Sequence, residues 1–188
     1  MSYYNIQKNV EQYIQMAEGY DGKLLIDVLG KHLPEGSTVL ELGMGPGKDL
    51  MLLGEKFNVT GSDVSPLFLE RFKASNPDAD LLQLDAVTMK TDRKFDCIYS
   101  NKVLYHLTQE QLIQSLKQQL QALKPNGLAH HSFWYGEGSE EMHGLQFTYY
   151  TEEKLQEIIG ESYDIVEMQR YTEMDEDDSI YILLRKHN

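Results

Sequence analysis

The sequence predicts an α/β protein built on a mostly parallel sheet of seven strands with covering helices. Three observations carry that expectation. Short apolar runs alternate with longer amphipathic segments along the 188 residues, the pattern of strands joined by helical crossovers. A glycine-rich loop follows the first apolar run directly and leads into a helix. The last two apolar runs are joined by an acidic turn too short for a crossover, which makes that pair antiparallel.

Each element has a local reason. Residues 5–17 set Ile6, Val10, Tyr13, Ile14 and Ala17 on one helical face. Gly19 and Gly22 interrupt it, and a second helix over 23–32 groups Leu24, Leu25, Val28 and Leu29 before Pro34-Glu35-Gly36 ends it. STVLELG (37–43) is the first strand, GMGPG (43–47) the loop, and 48–56 a helix. FNVTGSD (57–63) is the second strand. Ser65 as cap and Pro66 at the first helical position start a helix carrying Leu67, Phe68 and Phe72, which stops near Asn76-Pro77. ADLLQLD (79–85) and FDCIYSN (95–101) are the third and fourth strands. Thr108 and Gln111 form a capping box ahead of the stripe Leu112, Ile113, Leu116, Leu120 and Leu123. Pro125-Asn126-Gly127 turns the chain into a fifth strand, LAHHSFWY (128–135). A polar, glycine-containing segment follows. Thr151 then caps a helix with Glu152 and Glu153 in its first turn. Residues 163–171 and 179–186 close the chain as the antiparallel pair.

Composition removes whole classes of function. Thirty Asp and Glu against seventeen Lys and Arg give a formal charge of −13. A nucleic-acid binder needs a basic face to displace counterions, and docking on anionic lipid needs one too, so neither partner is expected. No run approaches the ~18 apolar residues of a membrane span, and the N-terminus lacks the layout of a secretion signal. A single cysteine, Cys97, excludes an intrachain disulfide and a cysteine-built zinc cluster, and points to a reducing, cytoplasmic setting. No repeat or linker divides the chain, so a single domain over 1–188 is expected. No metal is expected either: Glu173, Asp175, Glu176, Asp177 and Asp178 read as a solvated hairpin tip.

The loop itself runs Glu41-Leu42-Gly43-Met44-Gly45-Pro46-Gly47. A P-loop needs Gly-Lys-Ser/Thr, whereas Gly47-Lys48 is followed by Asp49. A dinucleotide loop needs a glycine where Lys48 stands, which counts against a nicotinamide oxidoreductase. An acid followed by GxGxG, the pattern of an S-adenosylmethionine loop, fits. Taken alone, a plain tight turn is the competing interpretation. The neighbouring strand ends decide between them. Asp63 ends the second strand, where an acid accepts from ribose hydroxyls. Asp85 ends the third, able to accept from an adenine amine beside the small Ala86, and Asn101 ends the fourth. Ligands bind at the carboxyl ends of strands in open α/β sheets.

VLELGMGPG, VTGSDVS, LLQLDA, FDCIYSNKVLYHL and LKPNG occur in this order, and from about residue 36 the chain resembles class I S-adenosylmethionine-dependent methyltransferases. The resemblance implies a Rossmann-like fold with strand order 3-2-1-4-5-7-6, the last strand antiparallel and helices on both faces. It implies that Gly43, Gly45 and Gly47 line the methionine and ribose part of the cofactor, with Glu41 beneath the loop near the methionine amino group. Asp63 would hold the ribose diol, Val64 would lie against the adenine, and Asp85 and Ala86 would read its edge. Asn101 would lie by the methionine moiety. The N-terminal helices (1–35) would close over the site, making Tyr13 and Tyr20 candidates. S-adenosylhomocysteine would be the product.

An activated methyl group asks only for a nucleophile held in line, exclusion of water and, for some acceptors, removal of a proton. Relatives acting on amide or adenine nitrogens resemble one another in Asn/Asp-Pro-Pro-Tyr after the fourth strand, and here that place reads Ser100-Asn101-Lys102-Val103. The resemblance therefore favours the small-molecule branch, similar to ubiquinone/menaquinone-biosynthesis and tellurite-resistance enzymes. Tyr105, Trp134, Tyr135, Met142 and Tyr149 are the candidate acceptor-pocket residues. His106, His131 and His143 are candidate bases. His130 and His131 alternate on a strand, so at most one faces the site. The insert 136–150, with Gly136, Gly138 and Gly144 among aromatic and acidic residues, reads as a substrate lid. A length near the minimum for this fold favours a small acceptor and a monomer or homodimer. A non-catalytic sensor or partner subunit would bind the same cofactor without transferring its methyl group.

Overall fold

The computed structural model describes residues 3–142 and 144–187. The helices are α1 (Gln7–Met16), α2 (Lys23–Leu29), α3 (Lys48–Gly54), α4 (Pro66–Ser75), α5 (Gln109–Ala122) and α6 (Glu152–Ile159). The strands are β1 (Thr38–Leu42), β2 (Asn58–Asp63), β3 (Leu81–Gln83), β4 (Phe95–Ser100), β5 (Leu123–Trp134), β6 (Ser139–Met142), β7 (Leu145–Thr148), β8 (Tyr163–Tyr171) and β9 (Ser179–Lys186). Seven of these form one sheet, ordered β3-β2-β1-β4-β5-β9-β8, with β1 to β5 parallel and β9 antiparallel to both its neighbours. This is the expected topology, and the numbers shift only because the insert forms its own hairpin, β6–β7.

The central strands are largely buried because they are covered on both faces, and their polar residues, such as His130 and His131, are hydrogen-bonded inside. Alternate residues feed two layers. Leu40, Leu42, Ile98, Ala129, Phe133, Ile182 and Leu184 pack with Leu112 and Leu116 of α5 and Leu155 of α6. Val39, Cys97, Tyr99, Leu128, Tyr181 and Leu183 face the other way, onto Leu25 and Leu29 of α2 and Leu53 of α3. Each fully buried Leu or Ile contributes about 1.5–3 kcal/mol, so this sandwich fixes the strand ends that build the site. The neighbouring histidines divide the same way. His130 is bonded to the Leu25 carbonyl in the α2 layer, and His131 to Gln119 in the α5 layer.

The expected capping box on α5 is complete: the Gln111 amide donates to Thr108 Oγ1 at 3.3 Å, and the Thr108 amide to Gln111 Oε1 at 2.9 Å. Ser65 differs from expectation. It stands at the N-cap before Pro66, but its hydroxyl donates to the Tyr4 carbonyl at 2.6 Å, pinning the N-terminal segment to α4. The third strand is short because Asp85 turns the chain, its Oδ1 accepting from the Val87 and Thr88 amides. Pro125-Asn126-Gly127 lies inside the fifth strand as a bulge, where the pairing jumps from Phe95↔Leu123 to Cys97↔Leu128 and Asn126 takes φ +59°. The acidic tip between β8 and β9 is a folded turn. Asp178 accepts from the amides of Glu173, Met174 and Asp175, each at 3.0 Å.

Candidate functional site

The loop after β1 turns on three glycines in the left-handed region, with φ of +65° at Gly43, +48° at Gly45 and +82° at Gly47. Asp63, at the end of β2, locks it from the side. Its Oδ2 accepts from the Gly45 amide at 3.0 Å and its Oδ1 from the Ser65 amide at 2.8 Å. Burial raises the Asp63 pKa against the opposing pull of those N–H donors. Gly43 and Gly45 open onto a cavity, with Val103 Cγ1 standing 2.6 Å from where a Gly43 Cβ would be. Gly47 does not line it. A Cβ there would overlap the Phe72 ring, so this glycine serves helix packing rather than the ligand surface expected of it.

The cavity encloses about 220 Å³. It gathers Gly43, Gly45, Asp63, Val64, Asp85 and Ala86 from the ends of β1, β2 and β3. Tyr4 and Tyr13 close one side with Phe68, their ring centroids 5.4–5.8 Å apart. Tyr13 lies over the loop, with Cε1 3.4 Å from the Cβ position of Gly45. Burial and the nearby Asp63 push its hydroxyl pKa up to about 12. Tyr4 is not among the residues that the sequence singles out; the pair Tyr3-Tyr4 just before an amphipathic helix is the signal that marks it. Tyr20 is elsewhere. It is exposed and shares a separate opening of about 200 Å³ with Asn101, Tyr171 and Glu173.

Beneath the loop lies a buried pair of acids. Asp49, the second residue of α3, accepts from the Gly22 amide at 2.7 Å, the Tyr99 hydroxyl at 2.8 Å and Asn101 Nδ2 at 3.1 Å. In the sequence Asp49 serves only to exclude a P-loop. Asn101 is held at its other end too, accepting from Ser132 Oγ at 2.6 Å. Glu41 is 3% exposed, and its Oε2 has no partner. Desolvation, then the charges of Asp49 and Asp63, push its pKa well above the ordinary carboxylate range. A buried carboxyl oxygen without a partner carries a desolvation cost that a donor brought to it would relieve.

The rest of the lining comes from Lys102, Val103, His106 and Leu107, which follow β4, and from Leu145 of β7. His106 stacks on Tyr105 at 4.0 Å and meets Phe147 edge-on at 5.0 Å. His131 is fully buried away from the cavity. Its Nδ1 meets Ser100 Oγ and its Nε2 meets Gln119 Oε1, both at 2.8 Å, and burial pushes its pKa down to about 3. That removes it as a base. His143 lies outside the described residues. Trp134 lies under the Lys102 ammonium at 3.4 Å and Tyr135 under the Arg170 guanidinium at 3.7 Å. Tyr149 donates to Glu140 at 2.5 Å, and Met142 is exposed. None of these four lines the cavity: Trp134 and Tyr135 sit at the end of β5 under their cations, Met142 lies on β6 and Tyr149 just after β7. Strand β6 is turned to solvent, and β7 docks Phe147 and Leu145 inward. Among the described residues no cluster of His, Cys, Asp and Glu is arranged to hold a metal ion.

A family model described as "Methyltransferase domain" matches residues 39–127. Over 75 residues the chain is 33% identical to trans-aconitate 2-methyltransferase from Enterobacter sp. (strain 638), covering 38% of this chain and 30% of that enzyme. The matched stretch thus spans under a third of that curated relative. An S-adenosylmethionine-dependent methyltransferase from Clostridium acetobutylicum superimposes with a TM-score of 0.77 at 15% identity, covering 95% of this chain and 99% of that one. The N-methyltransferase NodS from Bradyrhizobium japonicum, solved with S-adenosyl-L-homocysteine, does so with a TM-score of 0.76 at 17% identity, covering 100% of both chains. Residues 39–127, which run from the first strand through the glycine loop to the bulge of the fifth, match the methyltransferase-domain family model, and the chain carries the fold of the S-adenosylmethionine-dependent methyltransferases.

Proposed function

We propose that this chain transfers a methyl group from S-adenosylmethionine to a small-molecule acceptor in a cytoplasmic setting. The observation that carries this is the convergence of Gly43, Gly45, Asp63, Val64, Asp85 and Ala86 on one cavity. The unpartnered Glu41 oxygen beneath it supplies the fit for a cationic amino group. Bound cofactor would supply an electrophilic sulfonium methyl. The chain's own residues do the rest. Asp63 keeps the loop in shape through Gly45 and Ser65 and offers its remaining lone pairs to a diol. Asp85 uses Oδ1 for its turn and leaves Oδ2 for an exocyclic amine. Tyr4, Tyr13 and Phe68 exclude water from the loop side. Residues 136–150, which include the paired strands β6 and β7, act as a substrate lid on the acceptor side. Among the described residues no helix is long and apolar enough to cross a membrane. The names of the curated relatives support a small-molecule acceptor.

The test is to incubate the chain with S-adenosylmethionine and a panel of small acceptors. Mass spectrometry is expected to find S-adenosylhomocysteine and an acceptor heavier by one methyl group. Binding without S-adenosylhomocysteine formation on any acceptor would favour the sensor instead.

Glu41 makes a pH prediction. Its folded pKa is raised, so the folded chain holds a proton that the unfolded chain has released. Stability contributed this way is present at low pH and is lost as pH rises from the ordinary glutamate range through the raised value. Glu41→Gln is therefore expected to raise the Tm of the free chain at neutral pH, by roughly 1 kcal/mol or more of stability. The same change is expected to weaken S-adenosylhomocysteine binding about tenfold. In the wild type, binding should release a proton, visible in calorimetry as a dependence on buffer ionisation heat.

A further inference from the structure

The hairpin grips the short 3-10 turn Leu104–His106 at two points. His106 Nδ1 meets the Gln146 carbonyl at 2.8 Å, and Thr148 Oγ1 donates to the Leu107 carbonyl at 2.9 Å. A carbonyl oxygen only accepts, so Nδ1 carries the proton. In the neutral ring, Nε2 is then the bare lone pair. The one side-chain hydrogen bond of His106 among the described residues is this Nδ1 contact, which leaves Nε2 free, and His106 lines the cavity. Its neighbours there are apolar: Val103, Leu107 and Leu145.

The charges around the cavity add a second constraint. Among the described lining residues the one ammonium is Lys102, and its donors are committed. They reach Ser179 Oγ at 2.6 Å, the Phe133 carbonyl at 3.1 Å and Glu173 at 3.1 Å. The carboxylates on the lining are Asp63 and Asp85. Among the described lining residues no side chain with uncommitted positive charge is left to pair with the carboxylates of a polyanionic acceptor.

We propose that His106 Nε2 is the general base for an uncharged acceptor bearing an N–H or O–H, and that the hairpin fixes the tautomer that makes it one. This rests on the methyltransferase reading above. The acceptor's heteroatom forms the new bond to the methyl carbon. The carbon–sulfur bond breaks with its electron pair going to sulfur, and the acceptor's proton passes to Nε2 and on to solvent. A polycarboxylate such as trans-aconitate does not fit this lining.

The titratable groups that share the cavity with the ring are Tyr4, Tyr13, Asp63, Asp85 and Lys102, and Tyr105 stacks on it from its own turn. Gln146 and Phe147 of the hairpin bring no charge. Burial lowers the His106 pKa, so the ring is neutral and Nε2 bare at neutral pH. The rate should rise with pH through a pKa below the ordinary histidine range and then level off.

Nitrogen-15 NMR of the wild-type imidazoles tests the tautomer without any turnover. The Nδ1–H form is expected at His106, and an Nε2–H form overturns the proposal. His106→Asn keeps a donor towards Gln146 and removes Nε2. It is expected to lower kcat about a hundredfold and abolish the acidic limb, with calorimetric S-adenosylhomocysteine affinity unchanged. A kcat within threefold of wild type overturns the base. The acceptors are uncharged phenols and N–H heteroaromatics, with trans-aconitate beside them. Preferred turnover of trans-aconitate, or no methylation of the neutral set by a chain that binds S-adenosylhomocysteine, overturns the acceptor class. Failure of the wild type to bind S-adenosylhomocysteine at all, with the tautomer as expected, removes the methyltransferase reading and the base with it.

Discussion

Asp63→Ala is expected to cost the chain more than tenfold in affinity for S-adenosylhomocysteine. A buried contact from a ribose diol to a charged acceptor is worth roughly 1.5–3 kcal/mol, and 1.4 kcal/mol is already a factor of ten. The loss has a second source in the free chain. Asp63 accepts from the amides of Gly45 and Ser65, one on the glycine loop and one at the start of α4. Without it, two N–H groups lose their partner and the loop loses its lateral anchor, so Tm should fall as well. Asp63→Asn separates the effects. It keeps the shape and one carbonyl oxygen but turns an amide against one of the two donors and offers no charge to the diol. Its Tm should lie between wild type and alanine, with affinity still reduced. Calorimetry that finds near-wild-type affinity in both variants removes the ribose assignment.

Gly47→Ala should be among the most destabilising single substitutions in the loop. With φ at +82° the residue lies in the left-handed region, where a Cβ costs roughly 1–2 kcal/mol. The added carbon would also overlap the Phe72 ring, which is buried against Met44 and Leu50, and overpacking of this kind costs typically 1–3 kcal/mol. Together these should lower Tm by about 5–15 °C for a chain of this size. Gly138→Ala is the control. Its φ is +81°, but nothing lies within 4 Å of the new carbon, so only the backbone strain applies. Equal Tm changes in the two variants would show that Phe72 packing is not what reserves position 47 for glycine.

The strands, the antiparallel final pair and the loop-side half of the cavity are legible in the sequence for a local reason, whereas the strand order comes from the resemblance. Gly43, Gly45, Asp63, Asp85 and Ala86 sit at strand ends, and a strand end is marked by the residues on either side of it. Alternation along β5 likewise separates His130 from His131 on period alone. The acceptor side is less legible, because there the outcome depends on how separate elements dock. Residues 136–150 carry a composition but no period, so Met142 and Tyr149 look like apolar or aromatic candidates no worse than Leu145 and Phe147. The hairpin leaves Met142 exposed and brings in Leu145 and Phe147. Tyr13 and Tyr20 are equal candidates on sequence, and only the packing of α1 over Gly45 distinguishes them. Asp49 is hidden by its context. An acid after Gly-Lys excludes one ligand class and says nothing of the three donors it satisfies.

On the proposed function, the cavity at the carboxyl ends of β1 to β3 holds S-adenosylmethionine. Calorimetric titration of the whole chain with S-adenosylhomocysteine, and separately with NAD, tests it most directly. One-to-one binding of S-adenosylhomocysteine with proton release, and no heat from NAD, is the expected result. Binding of NAD, or no binding of S-adenosylhomocysteine, would contradict it.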